Sequence, residues 1–435
     1  MRRDAILELV RDSIQPIQQF KEGETYITVA KEVHGMEEVT ALVEAALNWR
    51  IVDGSISAQF ERSMARDVMK VRHAVFCNSG SSANLLAFMA LTSPKLGRRA
   101  IHAGDEVITS AVGFPTTVAP IIQAGAIPVF VDVTFGTYNP IPHQIAEAIT
   151  EKTKAIFLAH TLGNPFDVEE IRKIAEQNEL WLIEDCADAL GGDWKGKPLG
   201  SWGDLSTTSF YPAHMITTGE GGMVFTDSPI LNQIVRSFRD WGRDCWCEPG
   251  KDNTCGKRFS QKNLGDLPAG YDHKYAYSHA GFNLKSTDLQ ASIGLKQMNR
   301  LTGFVEKRRH NHNRLFDLMD EAGMGKYFIL PTHHANASPA WFGFILTIKD
   351  TAHFTRTKLV QFLEEKKIGT RMLFGGNITK QPGFKGKGRI HEYLTKADHI
   401  MNNTFWIGCH PAITDEMIDY MVRCIVEFVE QNEKS

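Results

Sequence analysis

The chain carries its candidate chemistry in a few short stretches. Cys77-Asn78-Ser79-Gly80-Ser81-Ser82-Ala83-Asn84 follows an apolar run and opens a helical pattern. Small residues there let backbone N–H groups approach an anion, and the helix dipole favours a phosphate, although a plain serine cap has the same look. Leu180-Trp181-Leu182-Ile183-Glu184 reads as a buried strand with Asp185 at its carboxyl end, where open α/β sheets place their ligands. A carboxylate at that point can hold a pyridine nitrogen protonated and make the ring an electron sink, or it can cap a helix. His214 lies in Ser209-Phe210-Tyr211-Pro212-Ala213-His214-Met215-Ile216-Thr217-Thr218-Gly219-Glu220-Gly221-Gly222. An imidazole there can act as a general base at neutral pH or simply shape the loop. Cys245, Cys247 and Cys255 pack three thiols into eleven residues. Clustered cysteines of this kind bind metal or catalyse, and with Cys186 as a fourth thiolate they can hold a [2Fe-2S] cluster or a structural zinc equally well. Cys77, Cys409 and Cys424 stand apart and read as core residues.

The elements that must position these residues alternate short apolar runs with amphipathic segments, the pattern of an α/β fold with a largely parallel sheet. Strands are predicted at Glu106–Ile108, Pro128–Val133, Ala155–Ala159, Leu180–Glu184 and Gly222–Thr226, and helices at Ser81–Leu91, Thr116–Ala124 and Val168–Asn178. From about residue 301 the character changes to a smaller C-terminal α/β domain, with helices near Phe304–Ala322, Lys358–Lys366 and Asp415–Gln431 and an extended run at Trp341–Lys349. Residues 1–35 read as a helical arm, 36–300 as the large domain, and 240–279 as an inserted loop that carries the three clustered cysteines and little aliphatic periodicity.

Composition narrows the class of function. The 435 residues are 43% hydrophobic and 23% charged, enough for a large buried core. Lys and Arg total 48 against 51 Asp and Glu, a net charge of -3 that offers no footprint for nucleic acid or an anionic membrane. No apolar run approaches the roughly 20 residues of a membrane span, and Met1-Arg2-Arg3-Asp4 does not open a signal peptide. A small-molecule partner and a cytoplasmic location are the expectation, and seven scattered cysteines argue against a disulfide framework.

Taken together and in this order, the motifs resemble the nucleotide-sugar branch of the fold type I pyridoxal phosphate enzymes, the sugar aminotransferases and dehydratases, over nearly the whole chain from about Glu38. The resemblance implies an aspartate aminotransferase-like large domain with a mostly parallel seven-stranded sheet. It implies that Ser81, Ser82 and Ser209 bind the cofactor phosphate, that Phe114 stacks on the ring and that Asp185 pairs with the pyridinium nitrogen. The segment Gly281–Asp288 would reach the neighbouring subunit's site with Asn283 as a phosphate contact, which implies a homodimer. His214 stands where the family's Schiff-base lysine belongs, and the lysine-free members are 3-dehydratases of 4-keto-6-deoxy sugars.

The cysteine pattern, with Phe238-Arg239-Asp240-Trp241-Gly242-Arg243-Asp244-Cys245, resembles the iron-sulfur group among these, the CDP-4-keto-6-deoxy-D-glucose 3-dehydratases of 3,6-dideoxyhexose (O-antigen) synthesis. That group's first metal ligand stands two positions after the cofactor aspartate. Here the position is Ala187, and Cys186 precedes it by one step. The implied activity is C3 deoxygenation of a nucleotide-linked 4-keto-6-deoxyhexose through a pyridoxamine phosphate imine. In it His214 is the base, Asp188 and Tyr211 assist beside the cofactor, and electrons come from an NADH-dependent flavin reductase through a [2Fe-2S] cluster held by Cys186, Cys245, Cys247 and Cys255. A cluster-free dehydratase that regenerates its amine from glutamate, with the loop as a zinc staple, and a non-catalytic protein on the same scaffold are the alternatives.

Overall fold

The computed structural model describes the backbone of residues 2–12, 19–245, 247, 253–260 and 265–433. Strands β1 (His73–Cys77), β2 (Glu106–Ser110), β3 (Ile127–Val131), β4 (Thr153–Ala159), β5 (Trp181–Asp185), β6 (Leu205–Ser209) and β7 (Gly222–Thr226) are buried along nearly their whole length. Strands of this kind need cover on both faces, which crossover helices supply to a parallel sheet. Their spatial order is β1-β7-β6-β5-β4-β2-β3, with a two-residue strand, Arg389–Ile390, added beyond β3. Every neighbouring pair is parallel except those made by β7, which runs antiparallel to β1 and β6. The seven expected strands are therefore joined by an eighth at the edge. Register sets Asp185 beside Ala159 of β4 and Thr207 of β6, so three carboxyl ends open on one rim.

The helices that flank this rim begin for local reasons. Ser79 caps Gly80–Ala90 by accepting the Ser82 N–H at 3.1 Å, directly after β1. Pro115 opens Pro115–Gln123 after β2, at a position where a missing N–H costs nothing.

The C-terminal part forms a four-stranded antiparallel sheet in the order Phe328–Ile329, Gly343–Ile348, Thr404–Gly408, Thr370–Arg371. Helices Leu301–Glu321, Arg356–Glu365 and Asp415–Glu433 share its apolar core. The division expected at residue 301 is bridged in several places: Arg389–Ile390 returns to pair with β3, Arg389 donates to Glu106 at 2.8 Å, and Ala337–Ser338 pairs with Asp193–Trp194. The N-terminal arm also differs from expectation. Helix covers Arg2–Asp12, but residues 19–35 contain none. There Ile27 and Val29 are buried with Thr28 and Ala30 less so, a two-residue period. The Ile27 N–H donates to Lys367 and its carbonyl accepts from Gly369, which straps the segment to the small domain.

Three histidines are packed into this frame. His312 stacks on Trp341 with ring centroids 3.6 Å apart, His279 sits between the Ser93 and Ser237 hydroxyls at 2.7 and 2.8 Å, and His410 lies against Thr28. Burial pushes His312 down to about 3, and His279 and His410 to about 4, from an ordinary 6.5. Below pH 6.5 an unfolded chain binds protons at these rings that the folded chain does not, so their stabilisation is complete above that pH and is lost as pH falls toward 4. The urea midpoint is expected to drop across that window, with a shallower slope in His312→Gln.

Candidate active site

A cleft of about 810 Å3 opens at the carboxyl rim and is lined by Ser81, Phe114, Asp185, Asp188, Ser209, Tyr211 and His214 among others. Sequence reading thus brings together seven of its nine cofactor-binding and catalytic candidates. Asp185 is buried, and its carboxylate accepts Asn84 Nδ2 and Thr117 Oγ1 at 2.8 Å each and the Ala187 N–H at 3.0 Å. Thr207 Oγ1 in turn donates to Asn84 Oδ1 at 2.6 Å, which fixes the amide's orientation. Burial pushes the Asp185 carboxyl upward, and the three donors offset part of that. A carboxylate has about four acceptor positions, so Asp185 keeps one for a cationic or N–H group in the cleft.

The turn before Gly80–Ala90 approaches β6 closely: a Cβ on Gly80 would lie 2.4 Å from that of Ser209. Backbone N–H groups at that helix start can therefore meet an anion beside the Ser209 hydroxyl. Ser81 lines the cleft, but Ser82 does not, and its hydroxyl takes a hydrogen bond from Ser79 at 3.0 Å. Phe114, half exposed, meets Phe374 edge-on at 6.4 Å. Asn283 stands outside this cleft, exposed, and accepts Lys285 Nζ at 2.8 Å.

His214 and Asp188 face each other, with Nδ1 and Oδ1 3.2 Å apart, off the line of a good hydrogen bond but close enough to pair if the ring is protonated. Phe342 lies 5.3 Å from the imidazole. The loop that carries His214 closes on itself: Phe210 N–H donates to Gly221, Thr218 N–H to Phe210, and His214 N–H to Tyr211. From the small domain, the fully buried Arg308 guanidinium donates to the carbonyls of Phe342 at 3.2 Å and His214 at 3.3 Å. Sequence reading missed Arg308, Asn84 and Thr117. Asn84 left a signal, a polar side chain on an otherwise apolar helix face. Arg308 left none, because Leu301–Glu321 is rich in cations and nothing in the sequence marks Arg308 as the one that is fully buried. At the mouth, Lys31 and Arg371 bring exposed positive charge that can meet an anionic ligand.

The metal assignment divides. Cys247 has the Cys245 and Cys255 thiols and the Thr254 hydroxyl within hydrogen-bonding reach, and that hydroxyl, then the neighbouring cysteines, hold it down at about 7. Burial raises Cys245. Cys186 is not with them, which corrects the expected ligand set. Adjacent residues at a strand end face opposite sides. While Asp185 and Ala187 line the cleft, Cys186 is wholly buried in another core with Trp194 and Leu199. Its sulfur lies within 4.8 Å of His160 and Glu184. Glu184 already accepts Gly200, Trp202 and Gly203 N–H groups at 2.6–2.9 Å and meets His160 at 3.1 Å, so its carboxylate is satisfied without an ion.

Arg308→Met is expected to remove the shared anchor of the His214 loop. A loss of at least about 1.5–3 kcal/mol in stability, and faster amide hydrogen exchange across residues 211–218, would be read by denaturation and exchange mass spectrometry.

Comparison with known proteins places this site in a family. The chain is 52% identical over 434 residues to dTDP-4-dehydro-2,6-dideoxy-D-glucose 3-dehydratase of Saccharopolyspora spinosa, covering 99% of this chain and 93% of that one. It is 51% identical over 435 residues to the lipopolysaccharide biosynthesis protein RfbH of Salmonella typhimurium, covering 99% and 98%. Among solved structures, E. coli GDP-4-keto-6-deoxy-D-mannose-3-dehydratase with bound hydrated PLP superposes with a TM-score of 0.82 at 26% identity, over 92% of this chain and 100% of that one. The description DegT/DnrJ/EryC1/StrS aminotransferase family matches residues 33–426, and the chain belongs to that family.

Proposed function

We propose that this chain is a pyridoxamine/pyridoxal phosphate-dependent 3-dehydratase of a nucleotide-linked 4-keto-6-deoxyhexose, CDP-linked in the leading reading. The observation that carries the proposal is His214, facing Asp188 at 3.2 Å, in the cleft that also contains the buried Asp185. A histidine there cannot make the Schiff base a transaminase needs, yet it can move a proton at neutral pH.

The residues fit the cofactor. Asp185, with its remaining acceptor position, suits a protonated ring nitrogen, the close Gly80–Ser209 approach suits a phosphate, and Phe114 offers a face or edge to a ring. When bound, the cofactor supplies an electron sink for loss of the C3 hydroxyl. Asn84 and Thr117 hold Asp185 in place, and the Asp188 carboxylate stands against the imidazole, 3.2 Å from its Nδ1. Tyr211, half exposed, adds a phenol to the lining of the same cleft. The Lys31 and Arg371 charges suit the nucleotide diphosphate.

The same reading assigns Cys245, Cys247 and Cys255 to a [2Fe-2S] cluster fed by an NADH-dependent flavin reductase, so that dehydration ends in a 3-deoxy sugar. It also assigns Asn283 to a partner subunit's site in a homodimer, in keeping with its position outside this chain's cleft. The 3-dehydratase named among the relatives supports the C3 chemistry, whereas the nucleotide rests on the loop motif.

Single turnover of purified protein with CDP-, dTDP- and GDP-linked 4-keto-6-deoxyhexoses tests this, with loss of the C3 oxygen followed by mass spectrometry. His214→Asn is expected to slow that loss by about 10²–10⁴-fold. His214→Lys is expected to gain a borohydride-trappable bond to the cofactor. Unchanged C3 loss in His214→Asn would remove the imidazole from the chemistry, and a preference for another nucleotide would remove CDP.

A further inference from the structure

The cysteine loop lacks a fourth ligand from β5. Ala187 has no donor atom, and Cys186 is turned into the core between His160, Glu184 and the Gly200 turn. Cys186 cannot reach the loop without reversing the strand end that aims Asp185.

A donor is present inside the loop. His273 is 1% exposed, in a stretch where residues 265–272 are largely open to solvent. Its Nε2 lies 3.3 Å from Cys255 Sγ. The ring is held by a braced turn: Asp272 caps His273–Tyr275 through the Lys274 N–H at 3.0 Å and accepts Arg258 Nε at 2.9 Å, and His273 N–H donates to the Arg258 carbonyl at 3.1 Å. The Lys257 N–H also points at Cys255 Sγ at 3.4 Å. Hydrogen bonds to sulfur of this kind tune metal thiolates.

We infer that His273 completes a three-cysteine, one-histidine metal site with Cys245, Cys247 and Cys255, and that Cys186 is no ligand. The donors run as a chain, Cys245 to Cys247 to Cys255 to His273, in contact pair by pair. Among the described residues, the groups of three ligating side chains that lie mutually within 4.8 Å are elsewhere. Donors strung out in this way suit the two irons of a [2Fe-2S] cluster better than one tetrahedral ion. The choice of iron rests on the function proposed above, whereas the ligand set rests on the loop itself.

The test uses the full chain purified anaerobically, with iron, acid-labile sulfide and zinc counted per chain and with pulsed EPR on the reduced protein. Wild type and Cys186→Ala should both carry about two iron and two sulfide, and reduced wild type should show coupling to a histidine nitrogen. His273→Ala should lose most of the iron. His273→Cys should keep it, lose the nitrogen coupling and shift to a lower reduction potential, because imidazole ligation raises the potential of such clusters. Full iron in His273→Ala, iron lost in Cys186→Ala, or wild type that takes up neither iron nor zinc overturns the assignment. Zinc in place of iron, bound in wild type and lost in His273→Ala, upholds the ligand set while removing the electron relay from the proposed function.

Discussion

A carboxylate at the buried end of a strand is costly unless it is fully paired, and the site is arranged around meeting that cost for Asp185. Its three donors come from three separate stretches of chain: Asn84 on the helix after β1, Thr117 on the helix after β2, and the backbone just past β5. Thr207 of β6 holds the Asn84 carbonyl. The parallel order β6-β5-β4-β2 and its crossover helices are what bring these pieces to one rim. A donor missing from this set would leave polar groups unpaired in a place that water reaches poorly.

The second constraint is the return from β6 to β7. Because β7 is antiparallel to its neighbours, the chain must double back at the rim, and the resulting loop brings His214 into the same cleft as Asp185. Twelve residues separate Ser209 from Gly222, long enough to wander, yet internal hydrogen bonds from Phe210, Thr217 and Thr218 fold the loop tightly. Arg308 adds a tie from the small domain. The distance between His214 and Asp188 is consequently set by both domains, which gives any motion of one against the other a route to the proton-handling pair.

Residues whose role is local were legible in the sequence, and residues whose role depends on what a distant segment does were not. The strand ends, the Ser79 turn and the loop frame around His214 announce themselves by short-range pattern, and the large-domain strands read from apolar runs lie within two residues of where the structure has them. β6 escaped because Leu-Ser-Thr-Thr-Ser has no apolar run; its hydroxyls are buried only because β5 and β7 enclose it. Arg308 escaped because nothing in a cation-rich helix marks the one guanidinium that points inward. The extended strap at residues 19–35 escaped for the same reason, since its two-residue burial period is created by contact with Lys367 and Gly369. Ser82 shows the opposite failure: a residue of the right type in the right motif, diverted by its own helix cap.

Cys186 is the sharpest instance of how a single step along a strand changes function. Asp185 and Ala187 both line the cleft, so the residue between them must look away, and it finds a core already closed by His160, Glu184 and Gly200. Rotating it outward would carry Asp185 inward and break three hydrogen bonds at a buried carboxylate. Each such bond to a charged group contributes about 1.5–3 kcal/mol, which holds Asp185, and with it Cys186, in the present orientation. A loop can change which side chain it offers with little effect on the sheet, and His273, held in its own braced turn beside Cys255, is such an offer. The strand thus constrains where chemistry on the sugar can happen, while the loop is free to settle how a metal centre is held.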